Sequence, residues 1–177
     1  MAGIIISTCP TTWGWIATAA SARGVTTISL PVPSSEQALS AAQRYCPEGR
    51  PGSTQQLIEL QEKLQRYFRA ELVDWGDTVL DVSCATPFLA RVWSIVRAIP
   101  RGQVRTYRWV AQQVGSPQGA RAIGQAMANN PFPIVVPCHR VVGHNGRLTG
   151  FGGGLEMKER LLRMEGAWPW APRLLDE

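Results

Sequence analysis

Histidine is nearly absent from this chain: His139 and His144 are the only two, and the four cysteines, Cys9, Cys46, Cys84 and Cys138, stand far apart with no Cys-x-x-Cys pair. A tetrahedral zinc site would have to gather its ligands from distant places, so no metal is expected. No apolar run approaches the length that spans a bilayer, and Met1 to Ser7 has neither the basic segment nor the apolar length of a secretory signal. A cytoplasmic protein without a membrane partner is expected. Repeats and low-complexity tracts are missing as well. What is present is 177 residues with 45% hydrophobic content, enough for one ordinary domain or two small ones with a packed core.

Charge is distributed unevenly. Residues 1–85 carry six Lys/Arg against eight Asp/Glu, a balance of −2, whereas residues 86–177 carry twelve against five, a balance of +7. Eleven of those twelve cations are arginines, which pair bidentately with phosphate and also stack on bases. The second half is therefore expected to meet a polyanion, the alternative being a basic face that is merely solvated.

Residues 1–85 read as a mixed α/β module. Ile4-Ile5-Ile6, Trp15-Ile16-Ala17 and Val25 to Leu30 predict strands of a small antiparallel sheet, with a turn at Ala22-Arg23-Gly24. Ser34 or Ser35 caps a helix to about Tyr45, Pro47 to Gly52 is a loop, and Ser53 opens a second helix with Leu57, Leu60, Leu64 and Phe68 on one face. Cys9, Cys46 and Cys84 read as small buried hydrophobes.

From residue 86 the pattern turns helical. Thr86-Pro87 has the form of a cap followed by proline at the first helical position, and Phe88, Val92, Ile95, Val96 and Ile99 recur at helical spacing until Pro100 and Gly102. Thr106 to Val114, stopped by Gly115, and Pro117 to Asn129, capped by Ser116, predict two short helices with a tight turn, the form of a helix-turn-helix. Gly119 to Ala128 is short of bulk, with Arg121 its only large cation, which suits either insertion into a groove or close packing on a neighbour. Pro131-Phe132-Pro133 then leads an extended segment to Cys138. Gly143 to Gly154 is a glycine-rich loop, Leu155 to Glu165 a last helix stopped by Gly166, and Trp168 to Glu177 an irregular tail.

Within this half, Pro137-Cys138-His139-Arg140 sets a thiol beside an imidazole. A thiol is a strong nucleophile only as thiolate, and a neighbouring histidine can draw off its proton; the competing reading is a buried structural cysteine. The run Pro137 to Gly143, followed by Gly150-Phe151-Gly152-Gly153-Gly154 and then Lys158, Leu161, Leu162, Glu165 and Gly166, resembles the O6-alkylguanine-DNA alkyltransferases, also called methylated-DNA-protein-cysteine methyltransferases. The resemblance extends upstream through Arg121-Ala122-Ile123-Gly124, Met127, Asn129-Asn130-Pro131, Tyr107 and Thr86-Pro87-Phe88, and covers about residues 86–167.

That resemblance implies a ribonuclease H-like first domain, residues 1–85, and a mostly helical second domain, residues 86–177, with a winged helix-turn-helix-like motif. It implies direct, cofactor-free DNA repair by a monomer without an obligatory protein partner, nucleoid-associated if prokaryotic. The lesion is O6-alkylguanine, and O4-alkylthymine as well, in double-stranded DNA. The damaged nucleotide is flipped out through the minor groove, and its alkyl group passes irreversibly to Cys138. By position, His139 deprotonates Cys138 through a bound water, and Glu165 orients and charges the imidazole. Asn130 braces the hinge, while Tyr107 assists the departing guanine and crowds the adjoining phosphate. Arg121 fills the vacated stack, with Ala120, Gly124, Tyr107 and Ser116 also on the DNA side. Met127, Val141, Leu148, Phe151 and Gly152 form the substrate pocket. The chemistry asks for these types: displacement at saturated carbon needs a soft, desolvated nucleophile and a donor toward the leaving purine.

Some positions depart from the family pattern. Leu89 stands where many relatives have glutamine, Thr106 where serine is frequent, and Gly152 where some have serine. The zinc ligands of some relatives are missing, and Cys138 argues against the relatives with tryptophan there, which bind lesions without repairing them. Two other function classes compete: a DNA-binding lesion sensor, which leaves Cys138-His139 and Glu165 without a role, and a cysteine hydrolase, which would need an oxyanion site that nothing announces.

Overall fold

The computed structural model describes residues 3–168. The predicted tail therefore lies, beyond Trp168, outside the described residues. Two compact units divide the chain, Met1–Cys84 and Ala85–Glu177.

In the first unit, strands β1 (Ile5–Thr11), β2 (Gly14–Ser21) and β3 (Gly24–Ile28) form an antiparallel meander, and helices α1 (Ser35–Gln43) and α2 (Gln55–Phe68) cover it. Gly14 lies at φ +128°, where an added Cβ would stand 2.6 Å from the Val32 carbonyl oxygen, so the first hairpin closes only around glycine. Successive strand residues point to opposite faces. Ala17 and Ala19 pack with Ala38 and Ala42 of α1, while Thr18 accepts a 2.9 Å bond from Gln61 of α2. The two helices thus cover opposite faces. The α2 stripe of Leu57, Leu60, Leu64 and Phe68 is buried as its spacing predicts, each side chain worth about 1.5–3 kcal/mol over exposure.

Three expectations for this unit need correction. The sheet is mixed, because Arg50–Pro51 within the predicted loop forms a short strand, β4, parallel to β1. Thr54, not Ser53, caps α2, its hydroxyl accepting from Leu57 N at 3.3 Å. Cys84 is exposed, whereas Cys9 and Cys46 are buried; burial pushes the Cys9 thiol up to about 11.

In the second unit, α3 (Pro87–Arg97) begins where Thr86 accepts from Leu89 N at 3.2 Å. The pair β5 (Arg105–Thr106) and α4 (Tyr107–Gln113) follows, with Thr106 as the helix cap. Gly115, at φ +78°, reverses the chain, and Ser116 N bonds back to Ala111 O at 2.9 Å, the six-residue closure of a Schellman ending. Ser116 is consequently no cap. Its carbonyl accepts from Gly119 N at 2.7 Å, so residues 116–119 make a turn around Pro117, and α5 (Ala120–Ala128) starts three residues later than predicted.

The segment after α5 is not extended. Asn130 folds it into nested turns: its Oδ1 accepts from Phe132 N and its Nδ2 donates to Val136 O, both at 2.9 Å, while Val136 N reaches Phe132 O at 2.8 Å. Ile134 lies at φ +75° inside this clasp, a strained conformation for a β-branched residue, and is 1% exposed. Trp93 of α3 braces the same place, its ring set edge-on to Phe132 at 5.4 Å and its Nε1 donating to Ala126 O of α5 at 3.3 Å. The chain then makes a 3-10 turn over Cys138–Arg140 and enters β6 (Val141–Val142), which pairs in parallel with β5. A second 3-10 turn, His144–Gly146, interrupts the predicted glycine-rich loop. Helix α6 (Leu155–Met164) ends at Gly166, φ +76°, with Ala167 N closing on Leu162 O at 2.8 Å. Val104, Val142, Leu162 and Ala167 form a core beneath β5 and β6. Among the described residues no helix is long and apolar enough to cross a membrane.

Candidate active site

Pro137 aims the thiol. At φ −79° and ψ 68° it centres an inverse γ-turn, closed by Cys138 N on Val136 O at 2.8 Å, and this bend delivers Cys138 to the wall of a cavity of about 520 Å³. The cavity is lined by Tyr107, by Ala120, Gly124, Met127 and Ala128 along one face of α5, and by Thr149, Gly150, Phe151 and Gly152 of the glycine-rich loop. Cys138 is only 6% exposed. Small residues at 120, 124 and 128 keep that helix face low, so the opening lies against the backbone of α5.

Behind the thiol, His139 is fully buried, and its Nε2 lies 3.0 Å from Glu165 Oε1. Glu165 is the cap residue at which α6 turns back, so the Schellman closure at Gly166 fixes where its carboxylate points. Arg140 takes the same carboxylate in a fork, Nε to Oε2 and Nη2 to Oε1 at 2.8 Å each, and its Nη1 donates to Ile99 O at 2.6 Å. Burial alone would raise the pKa of Glu165, but the neighbouring His139 and Arg140 outweigh it and hold the carboxyl well below its usual range. For His139 burial wins, and the pKa falls below the ordinary imidazole value despite Glu165. A neutral ring that donates from Nε2 to Glu165 has its lone pair on Nδ1.

Lys158 of α6 is a buried cation whose Nζ donates to Val141 O at 2.6 Å and to Thr149 O at 2.8 Å. Burial lowers its pKa to about 8, opposed by Cys138. Tyr107 sends a long 3.5 Å bond to Thr149 O, and its ring lies 5.8 Å from the Lys158 ammonium. Burial raises the pKa of Cys138 itself; the Asn130 side chain, the Lys158 charge and nearby backbone groups counter that effect without overcoming it. Burial therefore favours the thiol over the thiolate, so a base is needed to form the anion.

Of the residues expected at the site, Cys138, Tyr107, Ala120, Gly124, Met127, Phe151 and Gly152 come together around the cavity. His139 and Glu165 stand behind it, and Asn130 clasps the loop. Arg121 is exposed on α5 beside Ala120. Two expected pocket residues are elsewhere: Val141 is buried with its carbonyl bound to Lys158, and Leu148 packs on the core of Val104, Val142, Leu162 and Ala167. Ser116 is half-buried in its turn. Arg140 and Lys158 stand in the motifs that carry the resemblance, but the sequence assigns neither a role. Lys158 had a signal, since a lysine three and four residues before Leu161 and Leu162 falls on the apolar stripe of α6. For Arg140 the motif names the residue but not its partner, which is 25 residues away. A second cavity of about 550 Å³ shares Tyr107 and Ala120 and adds Arg108, Trp109, Gln112 and His144.

Comparison with known proteins returns one consistent group. A family model described as "6-O-methylguanine DNA methyltransferase, DNA binding domain" matches residues 87–167. The methylated-DNA–protein-cysteine methyltransferase of Shigella flexneri is 50% identical over 107 residues, 60% of this chain and 62% of the relative. That of Mycobacterium tuberculosis is 46% identical over 104 residues, 59% and 62% of the two chains. The matched segment thus spans 62% of the length of these curated relatives. Over the longer chain, the solved O6-methylguanine methyltransferase of Mycobacterium tuberculosis superposes with a TM-score of 0.73 at 32% identity, covering 93% of each chain. The same organism's OGT in complex with DNA gives 0.73 at 32%, covering 96% and 97%.

Proposed function

The chain belongs to the 6-O-methylguanine DNA methyltransferase family, and from that premise we propose that it repairs O6-alkylguanine in duplex DNA by taking the alkyl group onto Cys138. The observation that carries this reading is the placement of a buried thiol on the wall of a cavity floored by the small-residue face of α5, with the His139–Glu165 pair directly behind it. The first unit is read as a ribonuclease H-like support over residues 1–85. The second, residues 86–177, is read as the DNA-binding and transfer domain, with α4 and α5 as a winged helix-turn-helix.

The basic half docks on phosphates, and α5 lies in the minor groove, its low face allowing close approach. The damaged nucleotide turns out into the cavity while Arg121 fills the gap, offsetting part of an unstacking cost of a few kcal/mol. The thiol proton passes to Nδ1 of His139 through a water. The sulfur then attacks the alkyl carbon in line, forming S–C as C–O6 breaks. The electron pair leaves with the purine, which is neutralised by a proton from the Tyr107 side. The thioether persists, so each molecule acts once. O4-alkylthymine, with the same bond to break, is a second substrate.

The test is to incubate the protein with a duplex bearing O6-methylguanine and weigh it. One methyl gained on Cys138 per molecule, without cofactor and abolished by Cys138→Ser, supports transfer. Binding without a mass change makes the protein a lesion sensor instead.

A further inference from the structure

Three acceptor oxygens pin one buried guanidinium in the second unit. Arg140 forks onto both oxygens of Glu165 at 2.8 Å and anchors its third arm on Ile99 O at 2.6 Å, so its plane is fixed from outside the pair. Arg140 is itself buried, and the oxygen it shares, Oε1, is the one facing His139 Nε2 at 3.0 Å. We propose that Arg140 is a positioning residue for the alkyl transfer: by holding both oxygens of Glu165 it lets that carboxylate aim the His139 ring without charging it, and so keeps the imidazole as proton acceptor. The inference rests on the transfer reading above.

A carboxylate this close to a buried imidazole favours the imidazolium over the neutral ring, in opposition to burial. The groups that face His139 divide as follows. Glu165, at the end of α6, favours the cation; Arg140 in the same 3-10 turn and Lys158 from α6 oppose it, as does burial. Cys138 adjoins it in the chain, and the Phe151 ring from the glycine-rich loop, 6.5 Å away between centroids, adds no charge. The guanidinium fork takes both carboxylate oxygens in one plane, so the charge of Glu165 is matched by a cation held in fixed geometry. Glu165 then acts through geometry, receiving Nε2–H and turning Nδ1 toward the thiol side. The thiol proton needs that lone pair; an imidazolium has none to offer.

The experiment is the pH profile of single-turnover mass gain for the whole protein, Arg140→Gln and Arg140→Lys. Loss of the cation in Arg140→Gln moves the acid limb upward by roughly one to three pH units. Arg140→Lys, which keeps a charge, returns it most of the way, and adding Glu165→Gln to Arg140→Gln brings it back down. A limb that stays in place while only the plateau falls makes Arg140 a structural brace and overturns the proposal. Should the variants not fold, the intact protein decides by nitrogen-detected NMR of its two histidines, assigned with His144→Asn. Neutral His139 with Nε2 protonated at pH 7 is the expected result, and imidazolium at that pH overturns it. If the intact protein gains no methyl at any pH, the transfer reading has failed, and the NMR result still reports on the protonation of His139 separately.

Discussion

Lys158 ties the strand after Cys138 to the loop across the cavity: its Nζ donates to Val141 O at 2.6 Å and to Thr149 O at 2.8 Å from a fully buried position. Replacing it with methionine keeps the stem and deletes the two bonds. Lys158→Met is expected to cost about 2 kcal/mol in urea unfolding. Because folding lowers the pKa of this amine from 10.5 to about 8, the unfolded chain binds more protons between those values. Raising the pH through that window therefore stabilises the wild type, and its margin over Lys158→Met should widen from pH 8 to 10.5. A margin that stays flat would contradict the buried cation.

Asn130 is the only side chain that bonds both ends of the nested turn leading to Cys138, among the bonds described for that segment. Asn130→Ala should destabilise the protein by about 2 kcal/mol and slow transfer by roughly 10- to 100-fold, since small misplacements of a nucleophile are costly. Single-turnover rates measured well below the unfolding midpoint separate the two effects.

Gly152 faces open space, with nothing within 4 Å of an added Cβ, and its backbone is not left-handed. Gly152→Ala should change stability by less than about 0.5 kcal/mol. Gly152→Trp should narrow the cavity and slow a benzyl adduct about tenfold more than a methyl adduct. Equal slowing of both would remove this position from the alkyl-accepting wall.

Arg121 is not among the residues that line the cavity and is exposed on α5. Its replacement by alanine should slow repair in duplex DNA by about tenfold or more while leaving reaction with free O6-alkylguanine unchanged. Affinity for duplex should also fall steeply with salt and depend little on sequence. If free base and duplex slow alike, Arg121 does not act on extrusion.

Signals confined to one turn of chain were readable in advance. Thr86-Pro87 started α3, Gly115 and Gly166 stopped α4 and α6, and the leucines of α2 declared their buried face. Cys138 and His139 stand side by side, and Glu165 followed from the resemblance. What could not be read depends on distant partners. The two-residue strands β4, β5 and β6 exist only because another strand meets them. Ser116 looks like a helix cap until the closure onto Ala111 claims its amide. Arg140 reads as a surface-type residue until Glu165 and Ile99 enclose it, and the upward push on the Cys138 thiol comes from burial that no short motif encodes.

Ile134 sets a limit on how this protein could be hardened. Its backbone suits glycine, yet its side chain is packed away, so a designer who relaxes the left-handed bend opens a void beside the loop that carries Cys138, and one who keeps the bulk keeps the tension. Heat tolerance is better sought in residues 3–84, which supply none of the residues lining the Cys138 cavity.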